Sequence, residues 1–201
     1  EGYVMPILDE IGLKVGKEYF LAFSPERIDP GNTTWTTSNT PIVVGGVTKR
    51  CTELAALAMR QVVGVIHEVS NPKVAEMEKL LENIFRAVNI ALVNEFAQIA
   101  HALGIFVYET LDAANTKPYG FMKFTPSAGV GGHCIPVDPT YLAAVAEEHG
   151  APATFIRRAN EVNLEMSEYI VRRVAADNGG NLQSKNVLVV GVAYKPNVAD
   201  V

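Results

Sequence analysis

The 201-residue sequence has a net charge of −5, with 48% hydrophobic and 19% charged residues, which suits one or two compact domains with a sizeable core. The negative charge excludes nucleic acid and anionic membranes as general electrostatic partners. The longest apolar stretch, residues 84–107, is broken by six polar or charged side chains, so it does not predict a membrane span.

Strands and one helix alternate along the first 70 residues, which indicates the tail end of a parallel α/β sheet. The predicted elements are a strand at residues 19–23, a turn-rich segment at 24–32, a strand at 42–44, a helix at 48–63 and a strand at 65–69.

A long helix is predicted next, with Asn71 as its N-cap, Pro72 in the first helical position, an end near Leu103 and Gly104 as the stop. Its apolar residues keep a period close to 3.6, and others add apolar surface on further faces. We therefore expect it to be buried nearly all round, between domains or between subunits.

The remaining predicted elements are helices at residues 139–148 and 153–178 and a strand at residues 187–190 that enters a turn at Gly191. The last strand resembles the first strand of another α/β domain. The predicted fold class is thus α/β at both ends with a mainly α-helical centre. Because the chain starts without methionine and stops just after this strand, we expect it to be part of a longer protein.

The segment most typical of a reactive site is GVGGHCIPVDP, residues 129–139. Three glycines in four positions expose backbone N–H groups, and a cysteine directly after them, Cys134, can be nucleophilic if its thiolate is favoured. The alternative is a small buried side chain beside a turn. The segment is not a dinucleotide fingerprint, since it lacks GxGxxG. Cys51 and Cys134 form no zinc or disulfide pattern, which predicts a reducing cytoplasm.

Three further residues are weaker candidates. Lys79 and Asn83 share one face of the long helix and indicate either a polar pocket or a solvated stripe. Glu26 follows Ser24-Pro25 in a turn that would hold it rigidly. A dyad of Cys134 with the adjacent His133 is not expected, because neighbours in an extended chain point apart.

Taken together, these residues resemble the UDP-glucose/GDP-mannose dehydrogenase family. The motifs occur in that family's order: SPERIDPG at 24–31, AEMEKLLEN at 75–83, VNIALVNE at 88–95, GGHC at 131–134 and GVAYKP at 191–196. The resemblance implies the end of an NAD-binding Rossmann-like domain at 1–70, a central helical dimerisation domain at 71–178 and the start of a UDP-sugar-binding domain at 179–201.

The resemblance implies that the sugar C6 alcohol is oxidised to a carboxylate in two hydride transfers to NAD, through a thiohemiacetal and a thioester on Cys134. Lys79 and Asn83 would stabilise the oxyanion, Glu26 would serve acid–base chemistry in hydrolysis, and Asp138 would support the lysine and the attacking water. The implied binding residues are Arg27, Phe121, Gly131, Gly132 and His133 for the substrate and Lys195 for the cofactor.

Gly-Gly-His-Cys followed by Ile-Pro-Val-Asp-Pro is more similar to UDP-N-acetylhexosamine 6-dehydrogenases than to UDP-glucose 6-dehydrogenases, although Ser127-Ala128 departs from the Gly-Pro of that pattern. UDP-glucose oxidation stays open as an alternative. So do a cysteine acyl-transfer enzyme without nicotinamide and a dimerisation module without activity. The resemblance implies a homodimer through the long helix, and this chain alone is expected to be inactive.

Overall fold

The structure is a computed structural model that describes residues 2–191 and 193. Helices make up about half of the chain, and the described residues also form one small sheet. The elements are α1 (Val4–Glu10), β1 (Ala22–Phe23), β2 (Ile42–Gly46), α2 (Lys49–Met59), β3 (Ile66–Val69), α3 (Pro72–Ala102), α4 (Val107–Asn115), α5 (Cys134–Glu148) and α6 (Thr154–Asp177). The predicted fold class, a small sheet followed by a long helix and a helical centre, is confirmed.

The chain divides into two compact units, unit 1 at Glu1–Leu81 and unit 2 at Glu82–Val201, and α3 contributes to both. The division therefore falls inside the long helix. The domain limits given above stay a prediction.

The sheet of unit 1 has the order β1-β2-β3. β2 is parallel to β3, as predicted, with Ile42 opposite Ile66. The expectation of a purely parallel sheet is wrong for β1, which is antiparallel to β2, with Ala22 opposite Gly46. The connection between β1 and β2 contains no helix, whereas parallel neighbours are usually joined by a helical crossover.

Helix α2 covers the buried central strand β2, whose residues Val43 and Val44 are 3% and 1% exposed. Thr48 caps α2 by accepting a hydrogen bond from the Cys51 N–H at 3.2 Å. The helix ends at Met59 rather than at the predicted residue 63, because the Met59 carbonyl accepts the N–H groups of both Val62 and Val63 and closes a turn.

The limits of α3 are confirmed to within one or two residues. The Asn71 side chain accepts the Val74 N–H at 3.1 Å, Pro72 is the first helical residue, and Gly104 has a φ of +70° just past the end. This local capping explains why a helix of 31 residues begins and ends where it does.

The prediction that α3 is buried nearly all round is wrong for the single chain. Its small residues pack inward, with Ala87 and Ala91 at 2% and 4% exposure. An apolar stripe on another side is open, and we call it the α3 apolar face: Phe85, Leu92, Phe96, Ile99 and Leu103, each at least 40% exposed. Apolar residues on several faces do not require that one chain covers them all.

In unit 2, α5 packs on α6, and a small core joins Ala91 of α3 to Ala159 and Val162 of α6, with Val88 packed against it. Helix α5 begins at Cys134, five residues before the predicted start at Pro139. The earlier proline, Pro136, is tolerated because it falls in the first turn, where a backbone N–H has no helical partner.

The predicted strand at residues 187–190 is wrong. These four valine and leucine residues are 61–89% exposed and pair with no strand in the described part of the chain. A β-strand depends on hydrogen bonds from a neighbouring strand, so an apolar run alone does not make one. Among the described residues, no helix is long and apolar enough to cross a membrane.

Candidate active site

Cys134 is the first residue of α5 and is exposed. The helix begins there after a glycine-rich turn in which Gly132 has a φ of +80°. The first turn of a helix carries backbone N–H groups without helical partners, and these favour negative charge nearby. The thiol is thus accessible. It lies beside backbone N–H groups that suit a nucleophile or an oxygen that becomes negative.

Two other predicted site residues of unit 2 are in direct contact. The amide of Asn83, which is 6% exposed, donates from Nδ2 to Oδ2 of Asp138 at 2.5 Å. Asp138 lies one helical turn after Cys134 on α5, and residues four apart share a helix face. The structure therefore brings together Asn83 and Asp138 on the side of α5 that also carries Cys134.

The loop before α5 is anchored at intervals. The ring of Phe124 packs edge-on against Phe85 with centroids 5.9 Å apart, and Lys123 forms an ion pair with Asp112. Phe121 lies between regular elements and is 39% exposed. Gly131, Gly132 and His133 follow, immediately before the helix. The predicted substrate-binding residues of unit 2 thus lie on a stretch that leads directly to Cys134.

In unit 1, the turn that carries Glu26 is tightly held. Glu26 is exposed, and its Oε1 accepts the Ile28 N–H at 2.6 Å, while Pro25 beside it is buried. The guanidinium of Arg27 donates to the Pro41 carbonyl at 3.0 Å and pairs with the Glu78 carboxylate. Arg27 therefore links this turn to the start of β2 and to α3.

Lys79 follows Glu78 on α3, is partly buried, and lies one helical turn before Asn83. Within residues 2–191 and 193, its ammonium has no hydrogen-bond or ion-pair partner. A partly buried cation without a partner is available to a ligand. Lys79 and Asn83 share one face of α3, as the sequence predicted.

Two buried side chains stand outside the predicted site. Asn94 and Asn163 are 0% and 2% exposed, and Oδ1 of Asn94 accepts the backbone N–H of Ser127 in the loop that leads to Cys134. In the sequence, Asn94 was only one of several polar residues that interrupt an apolar stretch. An amide at an otherwise inward helical position was the available signal.

Comparison with known proteins identifies the family. Residues 73–165 match the model for the central domain of the UDP-glucose/GDP-mannose dehydrogenase family. The chain belongs to this family.

Relatives match over nearly the whole chain. Protein CapL of Staphylococcus aureus is 40% identical over 98% of this chain and 47% of its own length. The UDP-N-acetyl-D-glucosamine 6-dehydrogenase of Pseudomonas aeruginosa is 36% identical over 98% of this chain and 47% of its own length. The solved structure of the UDP-N-acetyl-mannosamine dehydrogenase Cap5O of Staphylococcus aureus is 33% identical, with a TM-score of 0.82, over 100% of this chain and 46% of that one. The chain thus spans about half the length of these relatives, and the resemblance to N-acetylhexosamine dehydrogenases is confirmed.

Members of this family are dehydrogenases, which use a nicotinamide cofactor. The 201 residues contain no GxGxxG run, so this sequence supplies no dinucleotide-phosphate cradle of that kind. The predicted cofactor-binding residue, Lys195, lies outside the described residues. No group of three or more metal-ligating side chains occurs in the described part of the chain.

Proposed function

We propose that the intact protein oxidises the C6 alcohol of a UDP-N-acetylhexosamine to the uronate with NAD, through a covalent intermediate on Cys134. The observation that carries the proposal is an exposed cysteine at the first turn of α5, one turn from an aspartate that binds the Asn83 amide. The names of the relatives support the substrate class.

Cys134 acts on the aldehyde formed from the alcohol. Its sulfur bonds to the carbonyl carbon, the C=O π electrons move to the oxygen, and the thiol proton passes to that oxygen to give a thiohemiacetal. Loss of a hydride from that carbon and of the proton on its oxygen leaves a thioester. Attack by water then breaks the C–S bond, which releases the carboxylate and restores the thiol. Bound NAD would accept the hydrides. The thiolate, rather than the thiol, is the attacking form.

Lys79 and Asn83 donate to the oxygen that becomes negative when sulfur or water attacks. Preset donors help most where charge develops in the transition state. The Asp138 carboxylate holds the Asn83 amide in a fixed orientation and, we propose, also supports Lys79 and the attacking water. Glu26 serves as the base in thioester hydrolysis, with one carboxylate oxygen fixed by Ile28.

We also propose that the protein is a homodimer through the α3 apolar face. Five large apolar side chains on one side of a helix, such as Leu92 at 60% exposure, favour a partner surface. Leu92→Glu or Phe96→Glu should give monomer or insoluble protein by light scattering. Glu76→Gln, on the opposite side of α3, should leave the dimer intact. A wild-type protein that is a monodisperse monomer would contradict this proposal.

For this 201-residue chain by itself, we expect no tight NAD binding and no turnover, since the phosphate cradle is missing from its sequence. Calorimetry on the isolated chain should show no micromolar NAD site. The two free thiols support a cytoplasmic location for the protein.

The test of the function is a screen of the intact gene product against UDP-sugars, with absorbance at the NADH band. We expect two NADH formed per UDP-N-acetylhexosamine consumed and slower turnover of UDP-glucose. A preference for UDP-glucose would instead identify the protein as a UDP-glucose 6-dehydrogenase. Acyl-ester or amide cleavage without any nicotinamide would overturn the proposal in favour of acyl transfer.

A further inference from the structure

A pair of buried amides lies between α3 and α6. Asn94 on α3 donates from Nδ2 to Oδ1 of Asn163 on α6 at 3.0 Å, and Asn163 donates from Nδ2 to the Ala87 carbonyl at 2.9 Å. The exposed fractions of the two asparagines are 0% and 2%. Burying an amide is unfavourable unless its hydrogen bonds are made. The two bonds above use Nδ2 of Asn94 and both ends of the Asn163 amide, so Oδ1 of Asn94 can still accept from one more donor.

That donor is the backbone N–H of Ser127, which meets Oδ1 of Asn94 at 2.8 Å. The pair therefore holds a loop as well as two helices. Ser127 also donates from Oγ to the Gly129 carbonyl at 2.5 Å, which tightens the same turn.

Gly129 is the second fixed point of the loop. Its φ is +125°, and a Cβ built there would lie 2.8 Å from the Asn163 carbonyl oxygen. A side chain would therefore force the loop away from α6, and only glycine accepts this conformation without strain. The loop touches the asparagine pair at Ser127 and the backbone of Asn163 at Gly129.

Only four residues separate Gly129 from Cys134, and each residue spans at most about 3.5 Å. Fixing Gly129 thus limits where the first turn of α5 can begin. The bond from Asn83 to Asp138 holds α5 one helical turn further on. We propose that Asn94 and Asn163 are positioning residues that set the place of Cys134 through the Ser127–Gly129 turn. This inference rests on the proposed role of Cys134 as nucleophile.

If the two asparagines served only to stabilise the fold, replacing both amides together should leave activity unchanged. Replacing both partners of a buried hydrogen bond by apolar groups of similar shape can leave stability nearly unchanged. The double variant Asn94→Leu with Asn163→Leu could therefore keep the helix contact, but it cannot accept the Ser127 N–H. If the pair positions the loop, the double variant therefore changes activity and the hydrogen-exchange protection of the loop while the fold survives.

The experiment compares wild-type intact protein with Asn94→Leu, Asn163→Leu and the double variant. The matched control is Asn89→Leu, because Asn89 lies on the same helix and donates to the Phe85 carbonyl, one turn away. The measurements are hydrogen exchange over residues 125–138, the thermal unfolding midpoint, and kcat and KM for the preferred UDP-sugar.

We expect amide exchange over residues 125–130 to rise about fivefold or more in Asn94→Leu and in the double variant, since one net hydrogen bond is lost. We expect kcat to fall by about 10- to 100-fold, because misplacing a reactive group by about 1 Å has that effect. KM should change less, and the control should resemble wild type. A variant with an unchanged unfolding midpoint still has to show both effects.

Unchanged exchange over residues 125–130 in the double variant would overturn the inference. A kcat within twofold of wild type despite faster exchange would also overturn it. If wild-type protein oxidised no UDP-sugar, the proposed function would fail on its own, and the exchange data would still decide whether the amides anchor the loop.

Discussion

The two cysteines of the chain occupy similar local positions in different surroundings. Cys51 is the third residue of α2 in unit 1, and Cys134 is the first residue of α5 in unit 2. Both lie in the first turn of a helix, where N–H groups favour negative charge. Cys51 is 0% exposed beneath its capping residue Thr48, whereas Cys134 is exposed after a glycine-rich turn.

The pKa of the Cys51 thiol illustrates why the difference matters. Burial raises it, but hydrogen bonds from Thr48 and from the Leu21 backbone outweigh that effect and bring the pKa below its ordinary value. A substrate nevertheless cannot reach a side chain with no exposed surface. Exposure, more than local electrostatics, is therefore the reason that we propose the chemistry for Cys134 and a packing role for Cys51.

The largest effect should come from removing each of the two thiols by mutation. Cys134→Ser in the intact protein should lower acid formation at least about 10³-fold, because a serine alkoxide is much harder to generate than a thiolate. UDP-sugar and cofactor should still bind. Cys51→Ala is the matched control and should keep kcat within about twofold. Near-normal uronate formation by Cys134→Ser would show that the exposed thiol is not the nucleophile.

A second prediction asks whether an accessible thiol is sufficient. Lys79→Ala should slow both formation and breakdown of the covalent intermediate, by about 10²–10³-fold overall, since a preset oxyanion donor is lost. Rapid-mixing kinetics with the UDP-sugar would measure the two steps. Lys73→Ala, an exposed lysine in the first turn of the same helix, should have little effect. Equal losses in both variants would point to general charge rather than to a placed donor.

The third prediction compares the thiols without any substrate. Iodoacetamide should alkylate Cys134 in the native protein at least about 100-fold faster than Cys51, which must wait for local opening. Peptide mass spectrometry over time gives both rates. In denaturant the two rates should converge. Comparable native rates would contradict the contrast in exposure.

The smallest expected effect concerns stability. Cys51→Ala should lower the free energy of unfolding by roughly 1 kcal/mol, a typical value for a point mutation, because it removes a packed sulfur and its bond from Thr48. Cys134→Ser should leave the unfolding midpoint unchanged. Chemical denaturation of the two variants measures the difference, and a larger loss in Cys134→Ser would reverse the assigned roles.

Features that depend on nearby residues were predictable from the sequence. Asn71, Pro72 and Gly104 set the limits of α3 through local capping, and the spacing of Lys79 and Asn83 followed from the helix period. Helix α4 was missed because its N-cap position holds Phe106, which makes no side-chain capping bond. The start of α5 was misplaced because Pro139, a typical first helical residue, lies inside the helix.

Features that depend on distant residues were not predictable. The direction of β1 depends on its pairing with β2 across a long connection. The bond from Asn94 to Asn163 joins residues 69 positions apart, and no local sequence pattern predicts it. The motif at residues 129–134 therefore pointed to the proposed nucleophile, but the groups that hold its loop emerged only from the packing of α3 and α6.

The most direct test of the covalent role of Cys134 is trapping the thioester in Glu26→Gln. Glutamine keeps an oxygen that can accept the Ile28 N–H, so the turn should stay in place while the base for hydrolysis is lost. Intact mass of this variant after incubation with UDP-N-acetylhexosamine and NAD should show one added uronyl group, and peptide mapping should place it on Cys134. No adduct together with loss of the first hydride transfer, or an adduct on another residue, would contradict the account.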